Sequence, residues 1–191
     1  MINIRPSVFE TNSSSSHSLA FSKKERGWSS DLPVDENGVL TIPFGEFGWG
    51  PAILRTPIEK LSYLVTDNGG YCYDDDEKSW ESILEEVMDS DFIQNVIAIV
   101  KQQCPKVKEV VFSPASSFYP RGYIDHDSVG TSKGVSPAEL IFNNDIIIVV
   151  DNDNSCHFYD YTHDHTNQNK IEELFDKSDE ELEAHHWSDW F

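Results

Sequence analysis

The sequence has few cysteines, few basic residues and no long apolar run. Cys72, Cys104 and Cys156 are odd in number and widely spaced, so they do not form a disulfide framework and suit a reducing compartment. The longest apolar runs, 96–100 and 146–150, are far too short to span a bilayer. The first residues also lack the features of a signal peptide. We therefore expect a cytoplasmic protein with no membrane partner.

Basic residues are scarce, because 14 Lys and Arg stand against 34 Asp and Glu, a formal net charge of −20. Residues 67–92, the first acidic segment, hold ten acidic residues against Lys78. Residues 145–191, the second acidic segment, hold thirteen against Lys170 and Lys177. Both would repel a phosphate backbone, which argues against direct nucleic-acid binding through them. A basic protein surface is the partner they would attract, and a solvated helix face is the simpler alternative.

The apolar content of 38% over 191 residues is enough for one buried core, so we predict a single domain over 1–191. The β-branched run at about 145–150 indicates a central strand buried on both faces. Capping signals and apolar stripes at helical spacing predict several helices, and a polar helix with an aromatic tail covers about 168–191. The pattern predicts an α+β fold, a mixed β-sheet whose central strand is packed by three to five helices. A parallel crossover between strands at 107–112 and 145–150 is also expected.

The stretch from Glu10 to Ser18 places many hydroxyl groups beside one imidazole, between two apolar segments. In a loop held at both ends, Ser15 or Ser16 is a candidate nucleophile and His17 its general base. The same hydroxyls could also bind an anion. A polar connecting loop capped by its own hydroxyls is an equally weighted alternative.

A second polar stretch contains Asp125, His126 and Asp127. Asp125 and Asp127 are candidate ligands for a divalent metal, and a carboxylate beside His126 could orient it as a proton shuttle. Because adjacent residues rarely face one ion, at most two of the three would share a site. An ordinary surface turn is slightly favoured over either role.

Asp151 and Asp153 follow the 145–150 strand, at a position where open α/β sheets often bind Mg²⁺. A tight turn explains the same residues better, because Asp and Asn are common turn formers. His157 and the pair His163 and His165 form at most a weak transition-metal half-site. No motif requires a cofactor, and Mg²⁺ is the metal that the carboxylates would favour.

Two stretches, Arg5 to Leu19 and Gly122 to His126, resemble segments of uncharacterised proteins from bacteriophages and related mobile elements. They cover well under a fifth of the chain. The group has no established activity, so the resemblance implies no role for any site residue. It implies a phage-encoded protein that acts in the bacterial cytoplasm. It also implies that the stretch from Glu10 to Ser18 is a regular feature of this group and not a variable linker.

Three functions are compatible with these patterns. The first is an accessory protein that binds a basic host protein surface, as an inhibitor of a host or defence factor. The second is a small metal-assisted hydrolase or transferase, acting on a phosphorylated or nucleotide substrate through the His17 stretch and Asp125–His126. The third is a structural protein of the virion. The sequence favours binding over catalysis only narrowly, and it does not specify the oligomeric state.

Overall fold

A computed structural model describes residues 15–48, 50–69, 78–125, 129, 134–152 and 168–182 of the chain. Within these ranges helices and strands are mixed along the sequence, and the predicted α+β fold class is confirmed. The elements in chain order are β1 (Ser15–Phe21), β2 (Val39–Pro43), β3 (Glu46–Phe47), β4 (Ala52–Leu54), α1 (Pro57–Gly69), α2 (Trp80–Met88), α3 (Asp91–Gln103), β5 (Glu109–Ser113), β6 (Tyr123–Ile124), α4 (Pro137–Phe142), β7 (Ile146–Asn152) and α5 (Gln168–Asp176).

The largest sheet has three antiparallel strands in the order β1-β7-β4. β7 is the middle strand, and its residues Ile146 to Val150 are all buried. Side chains alternate along a strand, so Ile146, Ile148 and Val150 face the main core while Ile147 and Val149 face the other side. Apolar cover on both faces explains why this strand is a continuous β-branched run.

The expected parallel crossover between 107–112 and 145–150 is wrong. The first of these strands forms as β5, but β5 pairs in parallel with β2, with Val39 opposite Glu109. β7 has no edge left for it, because β1 and β4 occupy both of its sides. The segment between β5 and β7, which includes α4, therefore connects strands of two different sheets.

α1 is the most enclosed helix, since every residue from Lys60 to Thr66 is buried. Thr56 and Glu59 form a capping box at its start: the Glu59 carboxylate accepts the Thr56 backbone N–H at 2.8 Å, and the Glu59 N–H donates to the Thr56 hydroxyl at 3.4 Å. The helix packs against α3, α4, β2 and β6. In the described ranges, no helix is both long enough and apolar enough to cross a membrane.

α5 covers the outer face of the three-stranded sheet. Its helical spacing places Ile171 and Leu174 on one side, and both are buried, as is Leu182 further along. These side chains pack on the outward-facing residues of the sheet, including Ile147 and Val149. The second acidic segment thus contributes a small apolar core of its own.

Candidate functional site

Ser15, Ser16 and His17 lie in strand β1, so the prediction of a loop is wrong for this part of the serine-rich stretch. Ser15 pairs with Asn152, and Ser16 pairs with Asp151. The reason is that β7 continues as far as Asn152 and offers backbone partners to these residues. The stretch before Ser15 lies outside the described residues.

The His17 side chain is 2% exposed and points at α1. Its Nδ1 lies 2.8 Å from the Tyr63 hydroxyl, which also accepts the Val129 backbone N–H at 3.1 Å. Tyr63 is therefore the shared hydrogen-bond partner of the His17 imidazole and the Val129 backbone. Burial raises the pKa of Tyr63 above its usual value, so the phenol remains protonated.

Tyr63 is also next to the second polar stretch. The Asp125 backbone N–H donates to the Phe47 carbonyl at 2.8 Å, and the Phe47 and Tyr63 ring centroids are 5.0 Å apart. The neighbourhoods of the two stretches therefore meet at one tyrosine, although His126 and Asp127 lie outside the described residues. With His17 so deeply buried, this arrangement joins β1 to α1 and does not present the imidazole to solvent.

Asp151 is part of β7, so the prediction of a turn at Asp151 and Asn152 is wrong. Asp151 is buried and follows the alternation of Ile147 and Val149, whereas His17 lies opposite Val150. The two side chains are therefore on opposite faces of the sheet and do not share a site. Asp153 and the histidines after it lie outside the described residues.

Metal binding was predicted at Asp125, Asp127, Asp151 and Asp153. In the part of the chain that the structure describes, no three His, Cys, Asp or Glu side chains are grouped closely enough to hold a metal ion. Asp125 follows β6, and Asp151 lies in the three-stranded sheet. Asp127 and Asp153 fall outside the described residues.

Lys60 is a buried cation that the sequence analysis missed. Its ammonium group donates to the carbonyls of Asn143 at 2.9 Å and Ile146 at 3.1 Å. Asn143 ends α4, and a cation is favourable at a helix C-terminus. Burial lowers the pKa of Lys60 to about 8, against the opposing effect of Glu59. The sequence contains one indication that Lys60 is buried: it lies four residues before Leu64, on the apolar side of α1.

In the second acidic segment, the carboxylate of Glu172 is bound from several directions. It accepts the Lys23 backbone N–H at 2.7 Å, the Ser22 hydroxyl at 2.8 Å and the Arg26 guanidinium at 3.0 Å. Burial alone would raise the pKa of Glu172, but these hydrogen bonds outweigh it and lower the pKa to about 2. Glu172 thereby fastens α5 to the segment that follows β1.

Arg55 and Lys24 engage further acidic groups of this region. Arg55 pairs with Asp179 at 2.6 Å and donates to the Leu174 carbonyl at 2.8 Å, near the C-terminal end of α5. Lys24 pairs with Asp176 at 2.6 Å. Three acids of the second segment, Glu172, Asp176 and Asp179, thus help to hold α5 on the sheet.

The first acidic segment is arranged differently. Glu81 and Glu85 lie on α2, Asp89 is its C-cap in helical conformation, and all three are exposed at intervals of four residues. Residues four apart lie on the same side of a helix, so the three carboxylates form one stripe, named the α2 stripe below. Within the described ranges, no lysine, arginine or histidine forms an ion pair with any of the three.

Glu86 marks one border of the α2 stripe and is paired. Lys78 lies 2.7 Å from its carboxylate, and the buried Arg121 binds the other oxygen. These hydrogen bonds, led by the one from Lys78, lower the pKa of Glu86. Two residues close to Arg121 in sequence, Phe118 and Tyr119, are 78% and 40% exposed. The exposure of these two aromatic side chains was not predicted from the sequence.

Comparison with models of protein families, with curated proteins and with solved structures gives no match for this chain.

Proposed function

We propose that the chain is an accessory protein, phage-encoded and acting in the bacterial cytoplasm, which binds a basic protein surface through the α2 stripe. The supporting observation is the exposure of Glu81, Glu85 and Asp89 on one side of a helix, with no paired cation among the described residues. A partner that presents Lys and Arg would supply the missing counter-charges.

The electrostatic repulsion among the three carboxylates of the α2 stripe supports this proposal. Like charges four residues apart destabilise a helix by about 0.2–0.5 kcal/mol per pair, and the stripe contains two such pairs. A basic surface would turn the repulsion into attraction on binding. Complementary charge of this kind mainly accelerates and orients association, and the acceleration falls as salt rises.

A hydrolase or transferase acting through Ser15, Ser16, His17, Asp125 and His126 has one favourable observation, the meeting of the two stretches at Tyr63. The burial of His17 counts against it, because a general base must reach its substrate. Hydrolysis of a panel of nucleotides and phosphomonoesters with added Mg²⁺, lost in His17→Ala, would restore this alternative. Binding is the function that the exposed groups support better.

The proposal is tested by capture from a bacterial lysate at low and high salt, with the full chain as bait. The variant E81K/E85K/D89K reverses the stripe. A matched variant, D31K/E36K/E109K, makes the same change in net charge at three other exposed acids. We expect salt-sensitive partners to be lost with the first variant and kept with the second. Equal recovery by both variants would contradict a role for α2.

A further inference from the structure

Exposed apolar side chains occur on α2 and on the turn that precedes Arg121. The described residues include four large hydrophobic side chains that are well exposed: Trp28 at 55%, Met88 at 36%, Phe118 at 78% and Tyr119 at 40%. Three of the four lie either on α2 or on the turn that is joined to α2. Trp28 lies elsewhere, at a β-bridge with Asn143.

The ion pair of Arg121 with Glu86 connects the end of this turn to α2. At 100° per residue, Glu86 lies on one side of the stripe and Met88 on the other. Arg121, three residues after Phe118, therefore ties the end of this turn to α2 on the Glu86 side of the stripe, while Met88 lies on the opposite side. Apolar groups that flank a band of carboxylates are a combination suited to protein recognition.

The turn that carries Phe118 is held by local hydrogen bonds. The Ala115 N–H donates to the Pro120 carbonyl at 3.0 Å, and the Tyr119 N–H donates to the Ser116 hydroxyl at 3.0 Å. The ring of Tyr119 meets the ring of Tyr123 edge-on, with the centroids 5.3 Å apart. A braced turn presents an aromatic ring with little conformational entropy left to lose, which favours binding.

From these contacts we infer that Phe118 and Tyr119 form the apolar anchor of the α2 surface, and that the partner is a basic protein surface with apolar side chains among its Lys and Arg. This inference rests on the proposed function. Exposed aromatic rings also stack on nucleobases, but a nucleic acid would bring its phosphates against Glu85 and Asp89. Charge therefore selects a protein partner.

The experiment uses two synthetic helical peptides as probes. Both carry Lys or Arg at every fourth position, opposite in charge to the α2 stripe. The first has Leu and Phe beside the basic residues, and the second has Ser in their place. Binding to the full chain is measured by fluorescence anisotropy of the labelled peptides, for the wild type, Phe118→Ser and E81K/E85K/D89K. Trp28→Ser is the matched control, because it removes an exposed aromatic ring away from α2.

We expect the apolar peptide to bind at least fivefold more tightly than the serine peptide, and Phe118→Ser to remove that advantage. Trp28→Ser should leave it unchanged, and far-ultraviolet circular dichroism should show that both variants are folded. If E81K/E85K/D89K weakens the binding of both peptides but Phe118→Ser weakens the binding of neither, the apolar anchor is refuted while the proposed function stands. If the wild type binds neither peptide, both proposals fail.

Discussion

The two acidic segments contribute similar charge to the sequence, but among their described residues Glu172 and the α2 stripe are used in opposite ways. In the second, Glu172 is bound by a backbone N–H, a hydroxyl and a guanidinium, and Asp179 is paired with Arg55. In the first, the carboxylates of the α2 stripe face solvent without described counter-ions. One set of acids fastens a helix to a sheet, and the other is left available to a second molecule.

The difference shows that a count of charges does not identify an interaction surface. The cations that pair with Glu172 and Asp179, namely Arg26 and Arg55, come from distant parts of the chain. Their partners could not be assigned from sequence proximity. The informative quantity is the number of acids left over after the folded chain has paired what it can.

The largest expected effect is on stability, from Glu172→Gln. The substitution removes a buried carboxylate from four donors, and a pKa lowered from its ordinary value to about 2 corresponds to about 2–3 kcal/mol. We therefore expect a loss of about that size in the free energy of unfolding at neutral pH, measured by urea denaturation. The control Glu85→Gln should change it by less than about 0.5 kcal/mol. Similar losses of unfolding free energy in the two variants would contradict the different roles assigned to Glu172 and the α2 stripe.

The same carboxylate should give a defined pH dependence. The pKa of Glu172 is lower in the folded protein than in the unfolded chain. Its contribution to the free energy of unfolding is therefore complete above the pKa of the unfolded chain, and it is lost as the pH falls through the pKa of the folded protein. The stability difference between the wild type and Glu172→Gln should accordingly shrink by up to about 2–3 kcal/mol between about pH 4.5 and pH 2. Denaturation curves of both proteins across this range measure it. A difference that stays constant would mean that Glu172 is not the titrating group.

A smaller effect of opposite sign is expected from Glu85→Lys. This change converts two repulsive pairs on α2 into two attractive ones, so it should stabilise the protein by about 0.5–1 kcal/mol while weakening partner binding. Thermal denaturation at low salt measures the gain, which should fade at high salt because these charges are exposed. A destabilised Glu85→Lys protein would show that the stripe is not under electrostatic strain.

The smallest effect should appear in the wild type when only salt is changed. Added salt screens the repulsion along α2 and also the attraction between α5 and its cations. Amide exchange should therefore slow slightly in α2 and quicken slightly in α5, by a few tenths of a kcal/mol in opening free energy. Hydrogen-exchange mass spectrometry can resolve the two peptides. Changes of the same sign in both would argue against different uses of the charge.

Local signals in the sequence were sufficient for the helices. Ser79 accepts the Ser82 N–H as the cap of α2, and Ser136 with Glu139 forms a complete capping box at α4. These contacts span only a few residues, so a single sequence contains them. The strand at Ile146 to Val150 was equally evident, because burial on both faces leaves a continuous β-branched run.

Strand partners and the environment of site residues depend on contacts that are distant in sequence. Nothing near His17 indicates that β7 extends far enough to pair with it, or that Tyr63 lies above it. The expected crossover was wrong for the same reason, since the pairing of β5 with β2 is not visible in either strand. The candidate anchor at Phe118 was missed because exposure of an aromatic ring is a property of the fold.

Lys60 has a consequence that can be observed as heat. Near pH 9 its amine is mostly neutral in the folded protein, whereas the unfolded chain would hold it as ammonium. Unfolding at that pH should thus take up close to one proton from the buffer. Calorimetric enthalpies measured in buffers with different heats of ionisation would differ accordingly, and the difference would disappear in Lys60→Met. The protonation state of a side chain with no contact to solvent would in this way be measured through the buffer.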